Sequence, residues 1–424
     1  MTSEFVCTVF AYLPGQRRGV PAGLLKMQED GSGPISSLFG YGSRYLQRPD
    51  AVPVDPSTLR LEAAVPGSRR EISPPNGLTH FGAMRDAMPD FWGRRVIESK
   101  LKVPANSLRE SEYMIHAGSN RLGALDFRDS PGADEQEGLL VPASDLSYLV
   151  EAADRVQRGE PVPEALSSLF SVGPTMGGAR PKAVVIRGGV QYVAKFPAAG
   201  DAFDVPVVER ATLELARACG LRVPVTDIVR LPDGRNVMLI ERFDRVAIKD
   251  GWSRKPVVSA LTAMELHESE SATSSYAALS QRLASVSAVG TTKADATELF
   301  KRMVFNILVS NDDDHLRNHA LLWEPASRGW TLSPLYDVLP KPQVGTDRQL
   351  HLGVGKQGRR ATLDNALSNA GAFGLLPGAA LEIVEDLAAQ VREWRTFFES
   401  MGVNGVECDK IALAFRKPRD IGLR

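Results

Sequence analysis

Residues 309–322 have the sequence V-S-N-D-D-D-H-L-R-N-H-A-L-L, and the elements predicted for this chain are organised around them. This sequence places three acids, two histidines and two asparagines between apolar segments. The apolar residues before it recur at helical spacing and predict a buried helix; they are Leu299, Phe300, Met303, Val304, Ile307 and Leu308. The residues after it predict a hairpin, with short strands at 320–323 and 330–332. The sequence therefore predicts a polar loop held between core elements, which is where chemistry is usually found.

The spacing within this loop reproduces the D-x-x-x-x-N pattern of a kinase catalytic loop, because Asp313 is followed by Asn318. In such a loop the aspartate takes the proton of the acceptor hydroxyl, and the asparagine helps to hold a magnesium ion. A second oxygen ligand is expected from Asp337, which follows the predicted hairpin in the sequence S-P-L-Y-D-V. Taken alone, the loop can also be interpreted as a solvated acidic segment, since D-x-x-x-x-N often occurs by chance.

Length and composition describe an ordinary globular protein of two or three domains. The chain has 424 residues, of which 43% are hydrophobic and 24% are charged. The net charge of −1 provides no overall attraction to nucleic acid. The three cysteines, Cys7, Cys219 and Cys408, are far apart and favour reduced thiols in a cytosolic protein. We expect a cytoplasmic location without membrane contact, because no apolar run approaches membrane-spanning length and no export signal is recognisable.

A second informative stretch, residues 173–243, contains the elements expected to bind a nucleotide. It begins with G-P-T-M-G-G-A-R-P-K, whose glycines, including Gly177 and Gly178, allow backbone N–H groups to approach a phosphate. Two β-branched runs joined by the turn R-G-G then predict a hairpin. Its second strand ends in V-A-K-F, which places Lys195 where a kinase strand lysine grips the α- and β-phosphates.

Two later elements complete this order. The next predicted helix contains Glu209, which we expect to pair with Lys195; alternatively, Glu209 and Glu214 make only surface pairs within their helix. Two strands around a Pro-Asp-Gly turn lead to the sequence E-R-F at Glu241 to Phe243. In a kinase this hinge presents backbone groups to adenine, so neither residue needs to act through its side chain.

The flanking regions predict a β-rich module before these elements and helices after them. Residues 1–65 carry short apolar runs broken by Gly and Pro, and 81–97 predicts short helical turns packed on that module through Trp92. For Arg85, Arg94 and Arg95 we expect solvated or salt-bridged surface positions. Residues 244–424 are expected to be mainly helical, with a last helix at 381–398.

Together these motifs resemble the HipA family of bacterial toxin serine/threonine kinases over nearly the whole chain. The resemblance is carried by G-G-A-R-P-K at 177–182, V-A-K-F-P at 193–197, E-R-F-D-R at 241–245, N-D-D-D-H-L-R-N-H at 311–319 and L-S-P-L-Y-D at 332–337. It implies an α+β, two-lobed protein-kinase-like fold with an added N-terminal β-rich subdomain and a mainly helical C-terminal lobe. The domains implied are an N-terminal subdomain at 1–128, a kinase N-lobe at 129–243 and a helical C-lobe at 244–424.

The resemblance also implies ATP and Mg²⁺ as cofactors and phosphorylation of a protein Ser or Thr. Asp313 matches the catalytic aspartate of the family, and Asn318 and Asp337 match its metal ligands. Lys195 matches its phosphate-binding lysine, and Lys182 matches a second lysine at the end of the Gly-rich loop.

The remaining polar residues of the loop are expected to serve its structure. His315 lies where the family also has a histidine, and we expect it to orient the loop, because proton transfer is already assigned to the catalytic aspartate. His319 is expected to be a packing or capping residue. The acids at 312–314 invite a Ca²⁺ or Zn²⁺ interpretation, but they lack EF-hand spacing, and one histidine does not make a zinc site.

One position departs from the family pattern. Family members can autophosphorylate a serine seven residues before the Gly-rich-loop lysine, which ejects that loop and switches the kinase off. Counting back from Lys182 places Thr175 there. Because threonine has the same hydroxyl, we predict autophosphorylation at Thr175, with Ser171 as the alternative. A phosphate at this position would repel the phosphates of ATP.

Two other functions stay open at this point. A small-molecule kinase on the same scaffold would share the catalytic loop, and self-labelling with ATP would distinguish the two. An inactive partner in an antitoxin–DNA complex is disfavoured by the complete set of Lys195, Asp313, Asn318 and Asp337. The family implies a HipB-like antitoxin as partner, with DNA contacted only through it. It also implies a protein substrate from the substrate class of the family, translation components such as aminoacyl-tRNA synthetases.

Overall fold

The computed structural model describes residues 2–63, 71–136, 138, 140–164, 178, 180–288, 290–345 and 347–422. Ser171, Thr175 and Gly177 lie outside these described residues, so the predictions made for them stay predictions. Within the described part the chain combines helices with sheets in which most of the paired strands are antiparallel, which confirms the predicted α+β class. None of the described helices is long and apolar enough to cross a lipid bilayer.

The strands of the described residues follow the chain in this order: β1 (Ser3–Tyr12), β2 (Gly19–Asp30), β3 (Gly33–Tyr41), β4 (Leu125–Arg128), β5 (Val141–Pro142), β6 (Lys182–Arg187), β7 (Val190–Lys195), β8 (Thr226–Arg230), β9 (Asn236–Glu241), β10 (Arg245–Ile248), β11 (Gly251–Arg254), β12 (Val257–Ser259), β13 (Ala320–Glu324) and β14 (Gly329–Leu332). The α-helices are α1 (Ser43–Leu46), α2 (Gly82–Asp86), α3 (Phe91–Leu101), α4 (Glu110–His116), α5 (Leu146–Arg158), α6 (Val205–Ala218), α7 (Ala260–Ala263), α8 (Tyr276–Val286), α9 (Thr292–Val309), α10 (Leu363–Leu367), α11 (Pro377–Arg392), α12 (Trp394–Ser400) and α13 (Gly405–Ile411).

The chain divides into two compact units. The first unit contains Met1–Ala198, Leu231–Asp233 and Leu239–Leu266, and the second contains Ala199–Arg230, Gly234–Met238 and His267–Arg424. The domain boundaries predicted after residues 128 and 243 stay a prediction.

The first unit begins with the β-rich module that the sequence predicted. Its four strands lie in the order β3-β2-β1-β4, and all neighbours are antiparallel. Along β2, Leu25 and Met27 are buried while Leu24 is 47% exposed. This alternation arises because successive side chains of a strand point to opposite faces of the sheet.

The hairpin predicted around the Gly-Gly turn is formed by β6 and β7. The strands pair antiparallel with Lys182 opposite Lys195, and β5 lies parallel to β6. Gly188 and Gly189 have φ of 57° and 78°. A two-residue hairpin turn of type I′ requires positive φ at both positions, which glycine adopts without a steric penalty.

Short helices pack on this unit as predicted for residues 81–97, and Trp92 is buried among them. Asp90 caps α3 by accepting a hydrogen bond from the N–H of Gly93 at 2.8 Å. Arg94 forms two hydrogen bonds to Glu110, at 2.5 and 2.7 Å, which confirms its expected salt bridge.

The second unit is built around α9, which confirms the predicted buried helix. Leu299, Phe300 and Met303 of this helix are fully buried. The hairpin that follows the polar loop is also confirmed, because β13 pairs antiparallel with β14 and places Trp323 opposite Trp330.

The prediction of one continuous last helix is wrong, because the structure divides it into α11 and α12. The break lies at Glu393, whose φ and ψ are −89° and 16°. It redirects the chain so that the ring of Trp394 stacks on Phe415, with centroids 3.9 Å apart. Helical periodicity continues across the break, so the sequence pattern did not reveal it.

Candidate active site

The polar loop leaves α9 through a tight backbone turn. Ser310 has a φ of 53°, in the left-handed region where helices commonly end. The N–H of Asn311 then donates to the carbonyl of Asn306 at 3.0 Å, and the two side-chain amides bond at 3.0 Å. The start of the loop is therefore fixed to the buried end of the helix.

Asp314 anchors the middle of the loop inside the protein core. Its Oδ2 accepts hydrogen bonds from the hydroxyl of Tyr276 at 2.5 Å, Nδ2 of Asn306 at 2.8 Å and Nε2 of His319 at 2.9 Å. Burial acts to raise the pKa of Asp314, but the charge and hydrogen bond of His319 and the bond from Tyr276 lower it below its ordinary value. A charged carboxylate thus sits in the core with three donors around it.

Asp313, the neighbouring acid, has the opposite environment. Its side chain is 62% exposed, whereas that of Asp314 is 1% exposed. The backbone carbonyl of Asp313 accepts from Nδ2 of Asn318 at 3.0 Å and from the N–H of His315 at 2.8 Å. The backbone below this carboxylate is therefore held while the carboxylate itself faces outward.

The segment that carries Asp337 is tied to the same loop. At the open end of the hairpin, the N–H of Ser333 donates to the carbonyl of Ala320 at 2.8 Å. The hydroxyl of Tyr336 donates to the carbonyl of Arg317 at 2.8 Å. The second of these bonds joins the residue before Asp337 to the residue before Asn318. Asp337 itself has a φ of 59°, a conformation that few residues other than glycine adopt.

His315 lies half-buried beside a second histidine. Its ring meets that of His351 edge-on, with centroids 5.8 Å apart. His351 contacts Oγ of Ser271 at 3.1 Å, and the same oxygen accepts from the N–H of Leu316 at 3.1 Å. Burial, followed by the charge of His315, lowers the pKa of His351 below its ordinary value. These contacts agree with an orienting role for His315, which stays a prediction.

In the first unit, Lys182 has a partner that the sequence did not indicate. Its Nζ lies 2.9 Å from Oδ2 of Asp90, and its side chain is 7% exposed. Its backbone carbonyl accepts from Nε1 of Trp92 at 2.9 Å. Gly178 has a φ of 120°, and a Cβ placed there would lie 2.9 Å from Nζ of Lys182. Gly178 therefore approaches this lysine closely. Lys195 lies opposite Lys182 on β7.

The two candidate helix acids differ in their surroundings. Glu209 on α6 is 3% exposed. Glu214 forms an ion pair with Arg217 at 2.9 Å and accepts from the hydroxyl of Thr226 at 2.5 Å. Surface pairing therefore applies to Glu214, and the choice of Glu209 as the partner of the strand lysine stays a prediction.

A buried ion cluster overlaps the predicted hinge and consists of Arg242, Asp244 and Arg245. Glu241 and Phe243 are half-buried, but Arg242 and Asp244 are almost fully buried. Asp244 pairs with Arg242 at 2.9 Å and Arg245 at 2.7 Å, and it accepts from the N–H of Gly123 at 2.8 Å.

The guanidiniums of this cluster also bind backbone carbonyls far away in the sequence. Both Arg242 and Arg245 donate to the carbonyl of Arg121, at 2.9 and 2.7 Å. Burial acts to raise the pKa of Asp244, but the charges of the two arginines hold it well below its usual range. The sequence contained a signal for this ion cluster, because R-F-D-R places one acid between two arginines. Charged residues are rarely buried unless they are paired.

Comparison with solved structures identifies the fold of this chain. The solved structure of HipA from Shewanella oneidensis MR-1, described in complex with HipB and its operator DNA, matches with a TM-score of 0.68 at 17% identity. The match covers 98% of this chain and 95% of that chain. It confirms the predicted fold, an α+β, two-lobed protein-kinase-like architecture.

A family model agrees with the structural match. The model described as the HipA-like C-terminal domain matches residues 175–395, which is just over half of the chain. The chain therefore belongs to the HipA-like family.

Two relatives from Sinorhizobium fredii are similar over part of their length. The protein named "Putative kinase Y4dM" is 28% identical over 279 residues, which are 62% of this chain and 64% of that protein. The protein named "Putative kinase Y4mE" is 26% identical over 318 residues, which are 71% of each chain. This chain thus spans somewhat less than two thirds of the first relative.

Proposed function

We propose that this protein is an ATP-dependent serine/threonine-protein kinase of the HipA toxin type. It transfers the γ-phosphoryl group of ATP to a hydroxyl of a protein. The observation that carries this proposal is the loop geometry, in which Asp313 faces outward from a backbone held by Asn318 and by the buried Asp314. Membership of the HipA-like family and the names of the two relatives support it.

In this proposal Asp313 orients the acceptor hydroxyl and takes its proton. A general base must reach the proton that it removes and must be held in a defined position. The exposure of the carboxylate permits the approach of a protein side chain, and the hydrogen bonds to its backbone limit its movement. His315 has an orienting role in the same loop.

Asn318 and Asp337 are proposed to hold Mg²⁺. An amide oxygen and a carboxylate are the hard oxygen ligands that Mg²⁺ takes from proteins, usually in ones or twos. Nδ2 of Asn318 donates to the carbonyl of Asp313, so this hydrogen bond uses the amide nitrogen and not the amide oxygen that is proposed to bind the metal. The bond between Tyr336 and Arg317 ties the two ligand-bearing segments together. When bound, Mg²⁺ would neutralise charge on the β- and γ-phosphates.

The first unit is proposed to contribute the phosphate- and adenine-binding groups. Lys195 binds the α- and β-phosphates, and backbone N–H groups at Gly177 and Gly178 approach the phosphates with Lys182 at the end of their loop. The backbone of the hinge at 241–243 binds adenine. The close approach of Gly178 to Lys182 supports a shared role of these two residues in phosphate binding.

Regulation and partners follow the family. We propose autophosphorylation at Thr175, with Ser171 as the alternative, and a HipB-like antitoxin that alone contacts DNA. The HipA of S. oneidensis is described with HipB and operator DNA, which supports an antitoxin partner. A cytoplasmic location for this protein and a protein substrate among translation components, such as an aminoacyl-tRNA synthetase, are part of the same proposal.

The test is intact-mass and phosphopeptide analysis after incubation with Mg-ATP. Wild type is expected to gain one phosphate, mapped to Thr175, and Asp313→Ala is expected to gain none while it still binds ATP. Asp409→Ala is the matched control, because Asp409 is also exposed, at 70%, and paired with a basic residue. It should label like wild type. Equal labelling of Asp313→Ala would contradict the role of Asp313. No labelling of wild type with ATP bound would favour a small-molecule kinase or an inactive partner protein.

A further inference from the structure

A lysine outside the polar loop reaches the carboxylate that the proposed mechanism uses. Nζ of Lys341 lies 2.8 Å from Oδ1 of Asp312 and 3.6 Å from Oδ2 of Asp313. Partial burial acts to lower the pKa of Lys341, but the hydrogen bond to Asp312 and the charge of Asp313 raise it above its ordinary value. The side chain is therefore an ammonium at neutral pH.

The backbone of this lysine is held rigidly beside the start of the loop. Lys341 stands between two prolines, in the sequence L-P-K-P-Q, and a residue before proline is restricted to extended conformations. Its N–H donates to the carbonyl of Ser310 at 3.3 Å, at the start of the loop. Two residues later, Nε2 of Gln343 donates to Oδ2 of Asp312 at 2.5 Å. Asp312 is thereby fixed from both of its oxygens, and it in turn fixes the ammonium.

The basic residues inside the loop have other partners. Between Asp313 and Asn318 the loop contains His315 and Arg317 as basic residues. The guanidinium of Arg317 lies 3.0 Å from Glu268, and the ring of His315 meets His351. In the ion pair that the structure describes for Asp313, Lys341 provides the positive charge.

Stability does not explain this arrangement. The side chains of Lys341 and Asp313 are 43% and 62% exposed, and exposed ion pairs contribute little to folding stability. The separation of 3.6 Å from Asp313 is also too long for a hydrogen bond, so the carboxylate keeps its acceptor capacity for an incoming hydroxyl. An ammonium has three donors, so a bond to Asp312 leaves donors for another oxygen.

We propose that Lys341 is a positioning residue for Asp313 that also provides positive charge to the γ-phosphoryl group during its transfer. This inference rests on the proposed kinase function. In the transfer, the acceptor oxygen forms a bond to the γ-phosphorus and its proton passes to Asp313. The bond from the γ-phosphorus to the β–γ bridging oxygen breaks, and its electron pair leaves on ADP. Lys341 neither gains nor loses a proton.

The experiment compares Lys341→Ala and Lys341→Arg with wild type, using Mg-ATP and autophosphorylation as the probe. At saturating Mg-ATP we expect Lys341→Ala to lower the rate constant on the order of 10²-fold, as does the loss of other groups that stabilise a transition state. The ATP concentration for half-maximal rate should stay within about twofold of wild type, because the interaction acts on transfer and not on ATP binding. Lys341→Arg keeps the charge and should recover most of the loss.

A matched control and a second variant separate this role from a structural one. Lys410 is 42% exposed and lies 2.7 Å from Glu407, so Lys410→Ala removes an equivalent surface pair and should label like wild type. If Lys341 only neutralised Asp312, then adding Asp312→Asn to Lys341→Ala would restore the rate. We expect the double variant to stay slow.

The outcomes are distinct. A wild type no faster than Asp313→Ala would remove the proposed kinase function together with this inference. An active wild type with an equally fast Lys341→Ala, or restoration by Asp312→Asn, would overturn the role of Lys341 alone. A slow Lys341→Ala with unchanged half-saturation, rescued by arginine, would support it.

Discussion

At the scale of single residues, two adjacent aspartates have opposite environments. Asp313 is exposed and Asp314 is buried, although nothing in their chemistry distinguishes them. The difference arises because Tyr276, Asn306 and His319 supply three donors to Asp314. A buried carboxylate is stable only when it is paired or hydrogen-bonded, so these donors determine which acid faces inward.

Replacing Tyr276 with phenylalanine tests this anchor. Tyr276→Phe removes one donor from the buried carboxylate, and we expect the free energy of unfolding at pH 7 to fall by about 2 kcal/mol. Urea denaturation measures this change. Tyr148, which is 55% exposed, provides the control variant Tyr148→Phe, for which no change is expected.

The same variant has a predicted pH dependence. Because the pKa of Asp314 in the folded protein is lower than the ordinary 3.8, its ionised form stabilises the fold. That contribution is complete above 3.8 and is lost as the pH falls through the lower folded value. The difference between wild type and Tyr276→Phe should therefore be largest at neutral pH and shrink below about pH 4. A difference that grows in acid would contradict the role of Asp314 as the ionised anchor.

At the scale of elements, turn chemistry determines the hairpin that carries Lys195. Gly189 has a φ of 78°, and a Cβ placed there would meet no atom within 4 Å. The effect of a side chain at this position is therefore purely conformational. Since left-handed backbone costs an ordinary residue about 1–2 kcal/mol, we expect Gly189→Ala to lower the free energy of unfolding by about 1 kcal/mol.

A second glycine gives the control for that prediction. Gly371 also has open space around it, but its φ is not in the positive range. Gly371→Ala should change the free energy of unfolding by less than about 0.5 kcal/mol, or increase it slightly, because alanine restricts the unfolded chain. Urea denaturation of both variants is the measurement, and equal destabilisation by the two would contradict the conformational explanation.

At the scale of the whole molecule, the chain brings distant segments together through buried charges. Asp244 bonds to the N–H of Gly123, 121 residues earlier, and the arginines beside it bind the carbonyl of Arg121. The E-R-F-D-R motif therefore joins the N-terminal module to the end of β9 within the first unit. Removal of one partner from such a cluster leaves buried charge without compensation.

Asp244→Ala is accordingly expected to be severe. It leaves Arg242 and Arg245 buried without their carboxylate, and we expect the free energy of unfolding to fall by about 3–5 kcal/mol. Thermal or urea denaturation measures the loss, and the exposed Asp250 provides the control variant Asp250→Ala. Wild-type stability of Asp244→Ala would show that the cluster contributes no net energy.

The local elements could be predicted from the sequence alone. Hydrophobic periodicity and turn chemistry act between residues that are close in the chain. They account for the buried helix α9, for the polar loop that follows it, and for the two hairpins. The order of the motifs pointed to the family and fold class, and comparison confirmed both. The catalytic assignments of Asp313, Asn318, Asp337 and Lys195 stay predictions.

The identity of the buried charges and of their partners became known from the three-dimensional structure. Asp314 meets Tyr276 across 38 residues, and Lys182 meets Asp90 across 92. The division of the last helix at Glu393 likewise accompanies a distant contact, the stacking of Trp394 on Phe415. Local sequence patterns contain no information on such contacts, because the energy of a buried charge or a stacked ring depends on groups that the completed fold brings within a few ångströms.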